Sequence, residues 1–127
     1  MRLFLVRHAE AAAGEPDDLR PLTAAGRETA RELGNRLAAE QPDTVLSSPL
    51  LRARETAAAI AEASGLEAEA DERLAPGATA DTVRSAAAGR GETVVAVGHQ
   101  PDCSEIVLEL TGREVRFAPG AFHEVAL

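Results

Sequence analysis

Lysine, tryptophan and tyrosine are absent from the 127-residue sequence, which has one cysteine, one methionine and three phenylalanines. The lone Cys103 excludes an internal disulfide and a cysteine-based zinc site, and it fits a reducing compartment. No apolar run approaches the ~18 residues that suggest a membrane span. No basic stretch precedes the first apolar run, so no signal peptide is expected and a cytoplasmic protein is. Positive charge is scarce as well: 13 basic against 21 acidic residues give a net charge of −8. Nucleic acid and anionic membrane surfaces attract basic chains, so neither is expected as a partner. With aromatics at only 2%, the core has to be built from Leu, Val, Ile and Ala.

What is present is an ordinary globular balance of 45% hydrophobic and 27% charged residues. The length predicts one domain over residues 1–127, long enough to bury about two-thirds of its unfolded surface. Every basic residue is arginine, the side chain suited to bidentate phosphate recognition. The useful question is whether a few of these arginines converge against the global sign.

Short apolar runs alternate with helical patterns, which predicts an α/β layered domain. A first strand is expected over Arg2–Val6, followed by a loop from Arg7 to Leu22 broken by Gly14, Pro16 and Pro21. Thr23 is the expected N-cap of a helix running to about Glu40, with Ala30, Leu33, Leu37 and Ala38 on one face. A short strand over Thr44–Ser47 precedes Ser48-Pro49, which reads as a capping hydroxyl and a first-turn proline opening a helix to about Ser64. Leu66–Ala70 suits a short strand and Thr79–Ala88 a modest helix. Thr93–Val97, an unbroken run rich in β-branched residues, suits a central strand covered on both faces. A helix over about Asp102–Leu110 follows, and residues 114–127 are expected to form one or two edge strands divided by Pro119-Gly120.

Two strand ends share one design. Arg2–Val6 runs into Arg7-His8, and Thr93–Val97 runs into Gly98-His99. Ligands of open α/β sheets bind beyond the carboxyl ends of strands. If these strands are parallel neighbours, both imidazoles face one crevice. Two histidines with a carboxylate could hold zinc, but Arg7 would set a fixed cation beside the metal, so an anion fits better and no metal is expected. A third place is the segment Ser47–Arg54, where a helix N-terminus favours anions and Arg52 can point back to the same crevice. Arg54 reads as a solvated helix-face arginine.

The segments LFLVRHAE, RPLTAAGRETARELG, VLSSPLLRARETAAAI and VVAVGHQP, in this order, resemble the histidine phosphatase superfamily, the phosphoglycerate mutase-like group. The short length and the stretch DDLRPLT are most similar to its small bacterial phosphohistidine phosphatases. The resemblance implies a three-layer α/β/α sandwich with a mostly parallel central sheet and a late edge strand. It implies that His8 is a nucleophile taking the phosphoryl group, that Arg7 and Arg52 bind the phosphate, and that His99 is a fourth pocket member. Asp17 and Arg20 match positions at the pocket edge. No cofactor is implied. Many members have Gly after the nucleophile where this chain has Ala9, a substitution that would cost something if the position had positive φ. Whether Glu10 does more than face water is open at this stage.

The chemistry suits these residues. Guanidinium groups grip phosphoryl oxygens through paired, charge-assisted hydrogen bonds, each worth about 1.5–3 kcal/mol, and count most where charge spreads in the transition state. The attacking nitrogen of His8 must be unprotonated, and Arg7 and Arg52 should lower its basicity. Asp71, Glu72 and Asp81 lie where many members carry a general acid, but each reads as a solvated loop carboxylate. Asp17 is a possible acid/base aid. An imidazole leaves far more readily than an alkoxide, so a pocket without a strong acid favours phosphohistidine. The short chain leaves little for a lid, so an open pocket could admit a phosphorylated side chain on a protein. The expected function is hydrolysis of phosphohistidine on a protein of the histidine-containing phosphotransfer type, with inorganic phosphate as product. The alternatives are the same chemistry on a small phosphorylated molecule and a non-catalytic phosphate-binding module; a metal hydrolase is the weakest choice. Cys103, near a helix start, could have a lowered thiol pKa but reads as a plain, partly buried cysteine. His123 is expected to face solvent on a late strand.

Overall fold

A computed structural model describes residues 1–127. Its core is a five-stranded sheet of β1 (Arg2–Arg7), β2 (Thr44–Ser47), β3 (Ala68–Ala70), β4 (Thr93–Gly98) and β5 (Phe122–Ala126). The order is β3-β2-β4-β1-β5, with β5 antiparallel to β1 and every other pair parallel. The helices are α1 (Ala24–Ala38), α2 (Leu51–Ala63), α3 (Ala80–Ala87) and α4 (Asp102–Thr111).

Alternation along the strands sorts the core into two layers. Phe4, Val6, Val45, Val95 and Val97 point to one face, where Leu33 and Leu37 of α1 and Ala53, Ala57 and Ile60 of α2 cover them. Leu3, Leu5, Leu46, Val94 and Ala96 point to the other, against Val83 of α3 and Ile106 and Val107 of α4. The result is the expected three-layer α/β/α sandwich. β4 lies between β2 and β1 and is buried at every residue but its last, as its unbroken apolar run predicts. Gly34 lets α1 approach α2: a Cβ there would stand 2.8 Å from the Ala59 carbonyl oxygen.

Several boundaries differ from those read in the sequence. Thr23 caps α1 as expected, its side chain accepting from Gly26 N, but the helix stops at Ala38. α2 begins at Leu51, with Leu50 at its N-cap, instead of at Ser48-Pro49. The loop after β1 contains a 3-10 turn at Asp17–Leu19 and is pinned at its base by a bridge between Ala11 and Leu22. Only one late strand forms. The stretch before it instead buries Phe117 in the core, 3% exposed.

His123 is half-buried instead of fully solvent-facing. Antiparallel pairing sets it opposite Leu5, and its ring packs edge-on against Phe117 with centroids 4.8 Å apart. Cys103 is fully buried and its Sγ donates to the Val6 carbonyl oxygen at 3.7 Å. Burial pushes its thiol up to about 12, the opposite of the lowering a helix start can cause, so it is not a reactive thiol.

Candidate active site

β1 and β4 are parallel neighbours with Arg7 opposite Gly98, so the residues that follow them, His8 and His99, emerge side by side. His8 N donates to the Gly98 carbonyl oxygen at 3.0 Å, which ties the two strand ends together. The imidazole centroids are 5.2 Å apart and the rings are tilted by 59°. The two imidazoles are therefore brought together, as expected.

Each ring is oriented by one hydrogen bond. His8 Nδ1 lies 2.7 Å from the Ala9 carbonyl oxygen, which can only accept. The proton therefore sits on Nδ1, and Nε2 keeps its lone pair. His99 Nε2 lies 2.8 Å from Ser48 Oγ. Burial is the largest cause holding the His8 pKa below the usual 6.5, ahead of Arg52, Arg7 and Arg20; its hydrogen bond to Ala9 opposes the shift. The arginines thus act in the expected direction but are secondary to burial. His99 is lowered to about 4, first by burial and then by His8 and Arg52, with Asp17 opposing. Both shifts favour the neutral imidazole at pH 7.

The two arginines reach the crevice differently. Arg7 ends β1, and its Nη1 donates to the Phe117 carbonyl oxygen at 2.8 Å. Its Nε is buried and has no hydrogen-bond acceptor in the protein. Arg52, in the first turn of α2, is only 8% exposed. Its Nη1 donates to the Asp17 carbonyl oxygen at 2.9 Å and its Nη2 to Asp17 Oδ2 at 3.3 Å. Arg20 donates to Asp17 Oδ1 at 3.0 Å and to the Ala12 carbonyl oxygen at 2.8 Å. Asp17 therefore joins Arg20 to Arg52, and the loop after β1 covers part of the Arg52 guanidinium.

The carboxylates considered as acids are engaged elsewhere or point away. Asp71 accepts from Arg73 N, Nε and Nη2, and this pairing holds its carboxyl below the usual range. Asp81, in the first turn of α3, pairs with Arg84 at 3.7 Å and its side chain is 89% exposed. Glu72 is exposed in a 3-10 turn. Asp17 is itself held ionised, first by Arg20 and then by Arg52.

Ala9 carries no strain, since Gln41 is the one non-glycine residue with positive φ. Its methyl is fully buried against Leu22 and Ala30, and its N donates to Thr56 Oγ1 at 3.1 Å. Glu10 is also structural. Its carbonyl oxygen accepts from Thr23 N at 3.0 Å and its carboxylate from Thr23 Oγ1 at 2.8 Å, which docks the start of α1 on the loop. Sequence reasoning passed over Ser48 and Thr56. Ser48 looked like a helix cap, and Thr56 lies one helical turn after Arg52, whose carbonyl it also binds. The largest surface cavity, about 600 Å³, lies along α2 and the β3 edge and includes neither imidazole.

A model of the histidine phosphatase superfamily (branch 1) matches residues 3–76, more than half of the chain and including Arg7, His8 and Arg52. The chain belongs to this superfamily. Among solved structures, the protein histidine phosphatase SixA complexed with tungstate superposes with a TM-score of 0.88 at 29% identity, over 100% of this chain and 88% of that one. The putative phosphohistidine phosphatase SixA from Agrobacterium tumefaciens gives a TM-score of 0.74 at 31% identity, over 88% of this chain and 77% of that one. A mycobacterial glucosyl-3-phosphoglycerate phosphatase shares the fold of this histidine phosphatase family member, with a TM-score of 0.76 at 20% identity over 97% and 88% of the two chains. No curated protein matches the sequence.

Proposed function

We propose that this chain is a metal-independent phosphatase that removes the phosphoryl group from phosphohistidine on a protein, through a covalent phosphohistidine at His8. The observation that carries the reading is that His8 keeps a lone pair on Nε2 and directly follows Arg7, whose buried Nε lacks an acceptor. A buried donor without a partner is costly, and an anionic oxygen is the partner a guanidinium N–H binds best.

In the first step His8 Nε2 attacks phosphorus, a new N–P bond forms, and the bond to the leaving imidazole breaks. Arg7 and Arg52 hold the non-bridging oxygens, where charge spreads in the transition state. The leaving ring, protonated on its other nitrogen, departs with its bonding pair as neutral imidazole, so this step needs no proton donor. Water then attacks the phosphoryl group on His8, releasing inorganic phosphate and restoring the neutral ring. Low basicity at His8 keeps the nucleophile available at neutral pH and makes it a good leaving group in the second step.

Phosphohistidine is favoured over a phosphomonoester because Asp17, the carboxylate beside Arg52, is a poor proton donor. It is held ionised first by Arg20 and then by Arg52. The likeness to structures described as SixA phosphohistidine phosphatases supports the same choice.

The test is to incubate the protein with a phosphohistidine-bearing phosphotransfer protein and with a panel of sugar phosphates, with and without EDTA. Acid-labile, base-stable phosphate mapping to His8, and its loss in His8→Ala, is the expected result. Phosphate trapped elsewhere overturns the mechanism. Faster turnover of a sugar phosphate overturns the substrate, and activity lost to EDTA overturns the metal independence. Phosphate binding without turnover by the unaltered protein would leave only a binding module.

A further inference from the structure

His99 is fixed by a side chain that the four-residue constellation does not include. Ser48 is 0% exposed and follows the last residue of β2. Its backbone N donates to the Val97 carbonyl oxygen at 2.9 Å, which anchors it against the end of β4. Its Oγ lies 3.2 Å from Leu50 N and 2.8 Å from His99 Nε2.

A hydroxyl has one proton to donate and two lone pairs. Leu50 N–H donates to Ser48 Oγ, so Oγ is an acceptor there. The hydroxyl proton then has one acceptor within reach, His99 Nε2. The opposite polarity, Nε2–H donating to Oγ, would leave a buried hydroxyl proton without an acceptor, which native interiors avoid. We propose that Ser48 is a positioning residue that holds His99 as the Nδ1–H tautomer, so that the neutral ring donates Nδ1–H to the phosphoryl oxygens. This rests on the reading of His99 as a member of the phosphate pocket.

Free histidine prefers the Nε2–H form, so Ser48 selects the less common tautomer. His99 Nδ1 bonds nothing in the protein and is not sealed from solvent, so it is available to an incoming group. The neutral ring can therefore donate to a phosphoryl oxygen without first being protonated. That matters because protonation is disfavoured here. The charged and titratable groups acting on His99 are His8 after β1, Arg52 on α2 and, opposing them, Asp17 on the loop. Protonation of Nε2 would also force the Ser48 hydroxyl to give up its acceptor.

Long-range proton–nitrogen correlation spectra of the unliganded, nitrogen-15-labelled protein at neutral pH read the tautomer directly. The expected result is a protonated Nδ1 and an unprotonated Nε2 on His99; a protonated Nε2 overturns the proposal and needs no variant. In Ser48→Ala the population should shift toward Nε2–H, with kcat falling about 10- to 100-fold and KM changing less than about threefold. Ser48→Thr, which keeps the hydroxyl, should retain the Nδ1–H form. An unchanged tautomer in Ser48→Ala overturns the proposal. Turnover surviving in His8→Ala would instead remove the phosphatase reading while leaving the tautomer assignment intact, so the two failures are distinguishable.

Discussion

Arg52 grips Asp17 through both ends of its fork, donating from Nη1 to the backbone carbonyl oxygen at 2.9 Å and from Nη2 to carboxylate Oδ2 at 3.3 Å. The same carboxylate receives Arg20 at Oδ1. A negative charge thus stands beside a guanidinium assigned to phosphate, and it lies on a side chain that is 65% exposed. The carbonyl bond positions Arg52 whatever the charge of the side chain.

Asp17→Asn should therefore keep the backbone contact while removing the competing charge. Inorganic phosphate or tungstate should bind up to about fivefold more tightly, the range of an exposed ion pair. Titration calorimetry at fixed ionic strength measures it. Weaker binding would mean that the carboxylate itself is needed to aim Arg52.

Arg7→Lys preserves charge but loses Nε and the planar fork. If Arg7 stabilises the transition state, kcat/KM should fall about 100-fold, mostly in kcat. Steady-state kinetics on a phosphohistidine substrate decides this, and a drop confined to KM would assign Arg7 to ground-state binding alone.

The pH dependence of stability follows from the two depressed histidines. Between the unfolded value of 6.5 and the folded value of His99, about 4, the unfolded state binds more protons than the native state. Stability therefore rises with pH through this window and is lost as pH falls through it. His8 contributes with the same sign. Asp17, Asp71 and Glu124, all depressed from below 5, add their losses only at more acidic pH. Urea unfolding from pH 7.5 to 5 should show declining stability, and His99→Asn should flatten the decline. An equally steep slope in the variant would contradict the assigned shift.

Ala9→Gly would restore the residue common in the family but empty the space between Leu22 and Ala30. Loss of one buried methyl costs about 0.8 kcal/mol, and the added backbone freedom about 0.5–1 kcal/mol. The melting temperature should fall while activity at 25 °C persists. A rise in Tm would show that the alanine is strained after all.

Gly26 makes a sharper steric case. A Cβ there would meet the Glu10 carbonyl oxygen at 2.1 Å, where the start of α1 docks on the loop. Gly26→Ala should be destabilised by about 1–3 kcal/mol, because backbone on both sides must separate. Differential scanning calorimetry checks the direction despite alanine's better helix propensity.

The parts of the molecule that were legible in advance depend on near neighbours along the chain. Alternation and helical periodicity marked all four helices and all five strands, with errors confined to their ends. His8 and His99 could be paired because each directly follows a strand, and a parallel sheet brings such positions to one edge. Arg52 was legible from its place in a helix's first turn beside another strand end. The general position of Asp17 and Arg20 at the pocket edge came only with the family resemblance, and their ion pair came with the coordinates.

By itself, then, the sequence determined the α/β order and the placement of His8 and His99 at neighbouring strand ends, since local patterning and strand-end position are enough to specify them, while the phosphate roles of Arg7 and Arg52 came with the family resemblance. The tertiary structure alone decided how those groups are tuned. Ser48 reaches His99 across 51 positions of chain, and Arg52 reaches Asp17 across 35. Burial outranks the arginines in setting the basicity of His8, turns Cys103 away from reactivity and makes Ala9 a packing residue. These partners and this desolvation are properties of segments brought together by folding, and no short window of sequence contains both Ser48 and His99 or both Asp17 and Arg52.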